Sequence, residues 1–299
     1  MTSTATTVAP RSIRTRGRYS ARGIVALSVY VGLIALSLLM AFPLLYAVST
    51  SLKSSDELRQ MPPSLIPQVL SWGNYVRVYA LQPLAARWVL NTLIVVFVSL
   101  PGSVATATLV AYGFARFEFP GRNFWFIVLL STMMLPSEVT LIPSYLLFHW
   151  LGWINTFLPL TVPAWFGGGA FSIFFIRQFF MTLPRELDDA ARIDGANTFQ
   201  ILWYVLAPLA SPVIMTLVIF GFLSTWNDFF GPLIYLNSRE LYTLALGLNE
   251  YRTMPETTAA PNDNLLMAGV VYMTIPCIAL FVFGQRYFVR GLVMSGLKL

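Results

Sequence analysis

RELDDAARIDGANTFQ, residues 185–200, is the longest polar stretch between the apolar runs in the second half of this 299-residue chain. It holds four carboxylates, Glu186, Asp188, Asp189 and Asp194, in a protein that is 11% charged and 57% hydrophobic. Pro184 suits the first position of a helix, where a missing N–H costs nothing. Glu186, Asp188 and Asp189 then fall in the first turns, where the helix dipole favours negative charge. Glu186, Ala190 and Asp194 are four apart and share a face, with Ala191 beside them. Gly195 ends the helix at a turn that calls for positive φ or close approach. Asn197 with Gln200 three residues on is a capping pair that starts the next helix. Small residues in mid-helix let another surface approach closely, and the carboxylates invite arginine or backbone donors. Local physics leaves two readings open, a solvated loop with a capped helix or a docking element.

Outward from this stretch the chain reads as membrane protein. Soluble domains are about a quarter charged, and a membrane-spanning helix needs roughly 20 mainly apolar residues. Six such runs occur, at about 23–49, 88–114, 124–148, 154–180, 201–236 and 265–289. Pro136, Pro143, Pro159 and Pro163 interrupt the third and fourth, which membrane bundles tolerate where neighbours satisfy the freed carbonyls. The fifth is long enough for an interfacial turn ahead of the spanning part. The first is too long for a cleavable signal, and no small-residue cleavage site follows it.

Of the 19 Lys and Arg residues, 13 fall on one side of this six-span arrangement: five in the N-terminal arm, then Arg116, Arg122, Arg177, Arg185, Arg192, Arg286, Arg290 and Lys298. The positive-inside rule makes that side, both termini and residues 185–200 cytoplasmic. The expected division is a basic arm over 1–22, a six-span domain over 23–289 with the polar loop at 184–200, and a cytoplasmic tail over 290–299. Two sizeable segments lie outside. Residues 52–87, rich in proline and aromatics, are expected to form an ordered cap, and residues 237–264 a polar loop able to reach a partner.

Several chemistries are excluded. The two lysines, Lys53 and Lys298, each follow leucine, so neither belongs to a GxxxxGK[ST] phosphate loop. One histidine and one cysteine leave no zinc cluster, no intramolecular disulfide and no His-based catalytic arrangement. The net charge of +6 sits in short segments between apolar runs, which argues against nucleic acid. The remaining polar cluster is Trp226, Asn227 and Asp228. Asp228 falls about 8 residues inside the outer end of its run, hence roughly 12 Å deep. Intramembrane carboxylates default to functional roles; a translocation-path residue and a hydrogen-bonded packing node near Pro232 stand as the alternatives. One such carboxylate is thin support for an ion-driven carrier, and no nucleophile–base set supports an enzyme.

DDAARIDGANTFQILWYVLAP resembles the Glu-Ala-Ala loop of permease subunits of binding-protein-dependent ABC importers. Ala190, Ala191, Gly195 and Pro208 stand at the family's spacing, and Asp189 replaces its glutamate. AYGFARFEFPGRN, TMMLPSEVTLIPSYLL, LGWINTFLPL, STWNDFFGPL and QRYFVRGLVMSGLK extend the resemblance to the carbohydrate branch, more narrowly to the shorter permease of the maltose type. The resemblance implies an all-helical, six-span type I importer permease whose short helix couples to an ATPase through Glu186, Asp189, Ala190, Ala191, Asp194, Gly195 and Pro208. Asp188, about 100° round the helix from Asp189, is expected to miss that contact. The implied partners are a second permease, two ATP-binding subunits that hold ATP–Mg, an extracytoplasmic solute-binding protein and the lipid bilayer. This chain itself is expected to hold no cofactor or metal. The implied cargo is a sugar, with a glycerol phosphodiester or glycerol phosphate as the alternative.

Overall fold

The computed structural model describes residues 16–253 and 262–296, and among them every regular element is helical. Helices are what such apolar runs must form in lipid, because only intra-segment hydrogen bonds satisfy the backbone there. In chain order the larger ones are α1 (Arg16–Ser51), α2 (Gly73–Leu81), α3 (Ala85–Arg116), α4 (Arg122–Ser131), α5 (Ser137–Trp150), α6 (Leu158–Thr161), α7 (Ala170–Thr182), α8 (Glu186–Ile193), α9 (Thr198–Gln200), α10 (Ala207–Leu209), α11 (Ser211–Trp226), α12 (Phe230–Tyr235), α13 (Leu244–Leu248), α14 (Glu250–Thr253) and α15 (Asp263–Gly296).

Four segments are long and apolar enough to cross a membrane unaided: Ala26–Ser51, Ala85–Arg116, Leu158–Thr182 and Asp263–Gln285. Two bent helix pairs, each counted as one span, bring the number to six. α4 and α5 form one, broken around Pro136, and Thr198–Leu209 with α11 the other, bent by 80°. The helix of the fifth run therefore ends at Trp226 rather than at Leu236, and it begins with the limb 198–209, which bends into α11 at Ala210. Helical backbone runs through both expected domain boundaries, 22/23 and 289/290. Residues 1–15 and 297–299 of the expected arm and tail lie outside the described residues.

Two clusters of buried side chains hold the bundle. At the Arg116 end, Ala107, Ala111 and Ala115 stand four apart on α3 and pack against Ile173, Ile176 and Phe180 of α7. Small residues at this spacing let helix backbones approach closely. The approach is tightest at Gly168, which has φ +61° and where an added Cβ would lie 2.1 Å from the Ser103 carbonyl oxygen. At the opposite end fully buried Trp88 packs with Trp226, Leu248 and Tyr251, and its Nε1 donates to the Arg239 carbonyl at 2.8 Å.

The segment between α1 and α3 is an ordered cap, as its composition suggests. Buried Asn74 donates to the carbonyls of Ser51 and Lys53, both at 2.8 Å, and Asn264 at the start of α15 reaches the Lys53 carbonyl at 3.1 Å. Buried Glu57 accepts from Ser64 Oγ at 2.7 Å and from the Gln68 N–H at 3.0 Å, while Lys53 Nζ donates to the Ser64 carbonyl. The second outer segment is anchored in its first half. Asn91 of α3 donates to the Glu240 and Tyr242 carbonyls at 2.8 and 2.9 Å, and Asn155 Oδ1 accepts from the N–H groups of Asn237 and Ser238, each at 2.9 Å. Residues 254–261 lie outside the described residues.

Candidate functional site: the short helix and its anchor

α7 ends at Thr182, and Pro184 lies two residues before the first residue of α8, not at its first position; Arg185 occupies the N-cap. The proline thus stops α7 rather than starting α8, because the residue before a proline is driven out of helical conformation: Leu183 is extended, at φ −78° and ψ 136°. The rest of the local reading stands. Gly195 has φ +85°, a conformation an L side chain resists. Asn197 Oδ1 accepts from the Gln200 N–H at 3.0 Å and Gln200 Oε1 from the Asn197 N–H at 2.7 Å, a reciprocal capping box. From there Thr198–Leu209 runs to the bend at Ala210.

Within α8 the two adjacent aspartates part company. Asp188 is buried and its Oδ2 lies 2.9 Å from Arg116 Nε, with side-chain exposures of 8% and 6%. Arg116 Nη1 also donates to the Leu183 carbonyl at 3.2 Å. The last residue of α3 thereby grips both the α7–α8 connection and the inner face of α8. Burial raises the Asp188 carboxyl above its ordinary pKa, with the pull of Arg116 opposing. Asp189 is exposed and makes only an exposed pair with Arg192 at 3.5 Å, a contact of small worth. Asp188 does point away from the Asp189 face, as its angle round the helix suggested, and there it is a structural anchor.

The residues expected to act together sort into two faces. Glu186, Asp189, Ala190, Asp194 and Gly195 are exposed, and Ala191 packs inward against the Ala111–Phe180 cluster. Pro208 lies at the far end of the 198–209 segment, beside the bend. Ile193, 87% exposed, belongs with the outer face and is the residue that sequence reasoning passed over. It was legible as the residue four on from Asp189, on the same helix face as the expected contact. Arg116 was also passed over as anything but a topological charge, and nothing in its own surroundings in sequence announces the pair.

Trp226, Asn227 and Asp228 do not form one cluster on a spanning helix. Trp226 is buried and its Nε1 donates to the Met273 carbonyl of α15 at 3.0 Å. Asn227 returns to the Leu223 carbonyl at 2.8 Å and ends α11. Asp228 lies in the break between α11 and α12, where its Oδ1 accepts the Gly231 N–H at 3.1 Å. The break precedes Pro232, so the depth computed along a continuous helix does not apply.

α8 is thus an exposed, partly apolar helix held from behind by a buried ion pair. A family model described as "Binding-protein-dependent transport system inner membrane component" matches residues 82–294. The chain belongs to that family. It is an ABC importer permease, a membrane carrier subunit and not an enzyme. The arabinooligosaccharides transport system permease protein AraQ of Halalkalibacterium halodurans is 33% identical to it over 270 residues, 90% of this permease and 95% of that one. The sn-glycerol-3-phosphate transport system permease protein UgpE of Yersinia enterocolitica is 32% identical over 273 residues, 89% and 95% of the two chains. The crystal structure of a bacterial ABC transporter involved in the import of the acidic polysaccharide alginate contains a chain 25% identical to this permease. It superposes with a TM-score of 0.76, over 94% of this permease and all of that chain.

Proposed function

We propose that this permease carries a carbohydrate, pairs with a second, different permease, and docks α8 into one of two ATP-binding subunits that hold ATP–Mg; an extracytoplasmic receptor delivers the cargo. Both termini and α8 are cytoplasmic in this reading, supported by the 13 basic residues on that side. The carrying observation is the outer face of α8, where Ile193 stands 87% exposed among Asp189, Ala190 and Gly195. A single exposed apolar side chain is ordinary on a surface; what supports a docking face here is its place beside Ala190 and the left-handed Gly195 turn, which stand at the spacing of the permease family's coupling loop. The substrates for which the relatives are named, arabinooligosaccharides and alginate, support a sugar cargo. The glycerol-3-phosphate relatives favour a second reading, a phosphate ester. Trp226, Asn227 and Asp228 mark the path on this reading, with Asp228 the one that faces it. Residues 237–264 reach the receptor, and shortening them is expected to weaken receptor-stimulated ATP turnover. The decisive experiment is co-purification with a tagged ATPase subunit. Ile193→Asp should cut ATPase recovery at least about tenfold, the equivalent of ~1.4 kcal/mol; undiminished recovery removes α8 as the docking element.

A further inference from the structure

We propose that the cavity beside Asp228 is a subsite on this chain for a neutral, polyhydroxylated solute, and that it discriminates against anionic cargo; this rests on the permease reading above. The cavity has a volume of ≈ 460 Å³, within the range of about 300–1,000 Å³ typical of ligand pockets. Ser224, Thr225, Asp228 and Thr243 give it polar groups, and Val95 and Leu160 close its sides.

Three observations make it a recognition site rather than a packing fault. Many helix hydroxyls return to carbonyls one turn back, as Thr92, Thr108 and Thr216 do at 2.9, 2.7 and 2.8 Å, although buried Thr50 and Ser99 are also unpaired. Those of Ser224, Thr225 and Thr243 make no such bond among the described residues, and Thr243 Oγ1 is without a partner although the residue is 3% exposed. A buried hydroxyl left unpaired is costly unless something else supplies the bond. Second, Asp228 spends only Oδ1 on the protein, accepting from Gly231. Gly231 is what leaves room for this pose, since a Cβ there would lie 2.6 Å from Asp228 Oδ2. Third, no Lys, Arg or His lines the cavity.

The chemistry of the donors and acceptors sets the ligand class. A carboxylate oxygen accepts from a sugar hydroxyl in a charge-assisted bond, and serine and threonine hydroxyls both donate and accept. A phosphate ester or a uronate would bring a like charge beside Asp228 with no cation to offset it, which disfavours binding. A hard metal cation takes six or more oxygens, for which a single carboxylate is a poor foundation.

The test uses the complete transporter, with Cys277→Ala and Thr225→Cys in this chain, after co-purification with the ATPase has been confirmed. A failure at that first step counts against the coupling reading alone. Thr225→Cys is treated with cationic methanethiosulfonate-ethyltrimethylammonium and with anionic methanethiosulfonate-ethylsulfonate. The ratio of the two rates should fall about tenfold on adding Asp228→Asn, as removal of a nearby charge requires. An unreactive thiol, or a ratio indifferent to Asp228, overturns the subsite. Proteoliposomes with receptor are then offered arabinotriose, maltotriose and glycerol 3-phosphate. Uptake of a neutral trisaccharide is expected, with Asp228→Asn lowering its maximal rate about tenfold, as the loss of one charge-assisted bond implies, at unaltered half-saturation by receptor. Carriage of glycerol 3-phosphate, or of none of the three, overturns the ligand class.

Discussion

Asp188 and Asp189 are adjacent and chemically identical, yet one is an internal strut and the other a surface group, and Arg116 makes the difference. Breaking a buried ion pair by removing one partner costs about 3–5 kcal/mol, whereas replacing both with apolar groups of similar size is often near neutral. Arg116→Ala and Asp188→Ala should each loosen α8, seen as faster proteolysis at 185–200 and lower thermal stability, while Arg116→Met with Asp188→Leu recovers most of the loss. Asp189→Ala should leave stability within about 0.5 kcal/mol, as exposed substitutions do, and act only on ATPase recovery. Protonation gives a second signature. Burial raises the folded pKa of Asp188 above the ordinary 3.8, so its contribution is fully present below the unfolded value and is lost as pH rises through the folded one. In Arg116→Ala the opposing pull is gone, so that decline with rising pH should extend to higher pH than in the wild type, measured by thermal unfolding across the acid range. The carboxylates, the glycine turn and the cap were legible from residues 185–200 alone. Which aspartate turns inward was not, because the answer lies in the end of another helix.

At the scale of elements, α3 against α7 depends on glycine where the chain comes closest. Gly168→Ala meets both a φ of +61° and an atom 2.1 Å from the new Cβ. It should therefore sharply reduce the yield of folded permease, assayed by monodisperse protein in detergent. Gly195 differs: its φ is +85°, but nothing lies within 4 Å of an added Cβ. Gly195→Leu should insert and fold with a loss of about 1–2 kcal/mol from the left-handed backbone alone, and show its main effect as reduced ATPase recovery. Equal recovery would mean that the partner does not approach this turn. The elements themselves were readable because apolar runs of spanning length leave the backbone one solution. Where those runs bend was less so. Prolines mark α4–α5, but the end of the fifth span at Trp226 is set by Asn227 and Asp228 capping locally before Pro232 is reached.

Over the whole molecule, burial is uneven. In Ala26–Ser51 only 6% of the most apolar window is buried, against 33% in Ala85–Arg116. Leu33, Leu38 and Met40 are more than half exposed, while Ala47, Thr50 and Ser51 at the far end are buried under the cap. Over its described side chains the first helix is therefore packed at its cap end, against α15, and exposed from 26 to 40. Apolar exchanges such as Leu33→Val should change thermal stability by no more than about 0.5 kcal/mol. Leu36→Asp should instead impair insertion, a charge at mid-helix costing about 2.5–3.5 kcal/mol on translocon scales; membrane-fraction yield reports both. Span number was legible from composition, but how little the first helix touches its own chain was not, since an apolar run reads the same whether it meets lipid or protein.

The 80° bend at Ala210 has a mechanical corollary. Residues 198–209, with Ile201–Leu206 wound as a π-helix, form an arm no longer than about 18 Å at 1.5 Å per residue, clamped at its root by α11 and carrying α8 near its tip. Because the arm stands almost square to α11, turning α11 about its own axis by about 10° would sweep the tip sideways by about 3 Å, given that arm length. A straight continuation of α11 would merely spin in place under the same turn. Under such a turn the elbow would act as a crank, exchanging rotation inside the bundle for translation at its base.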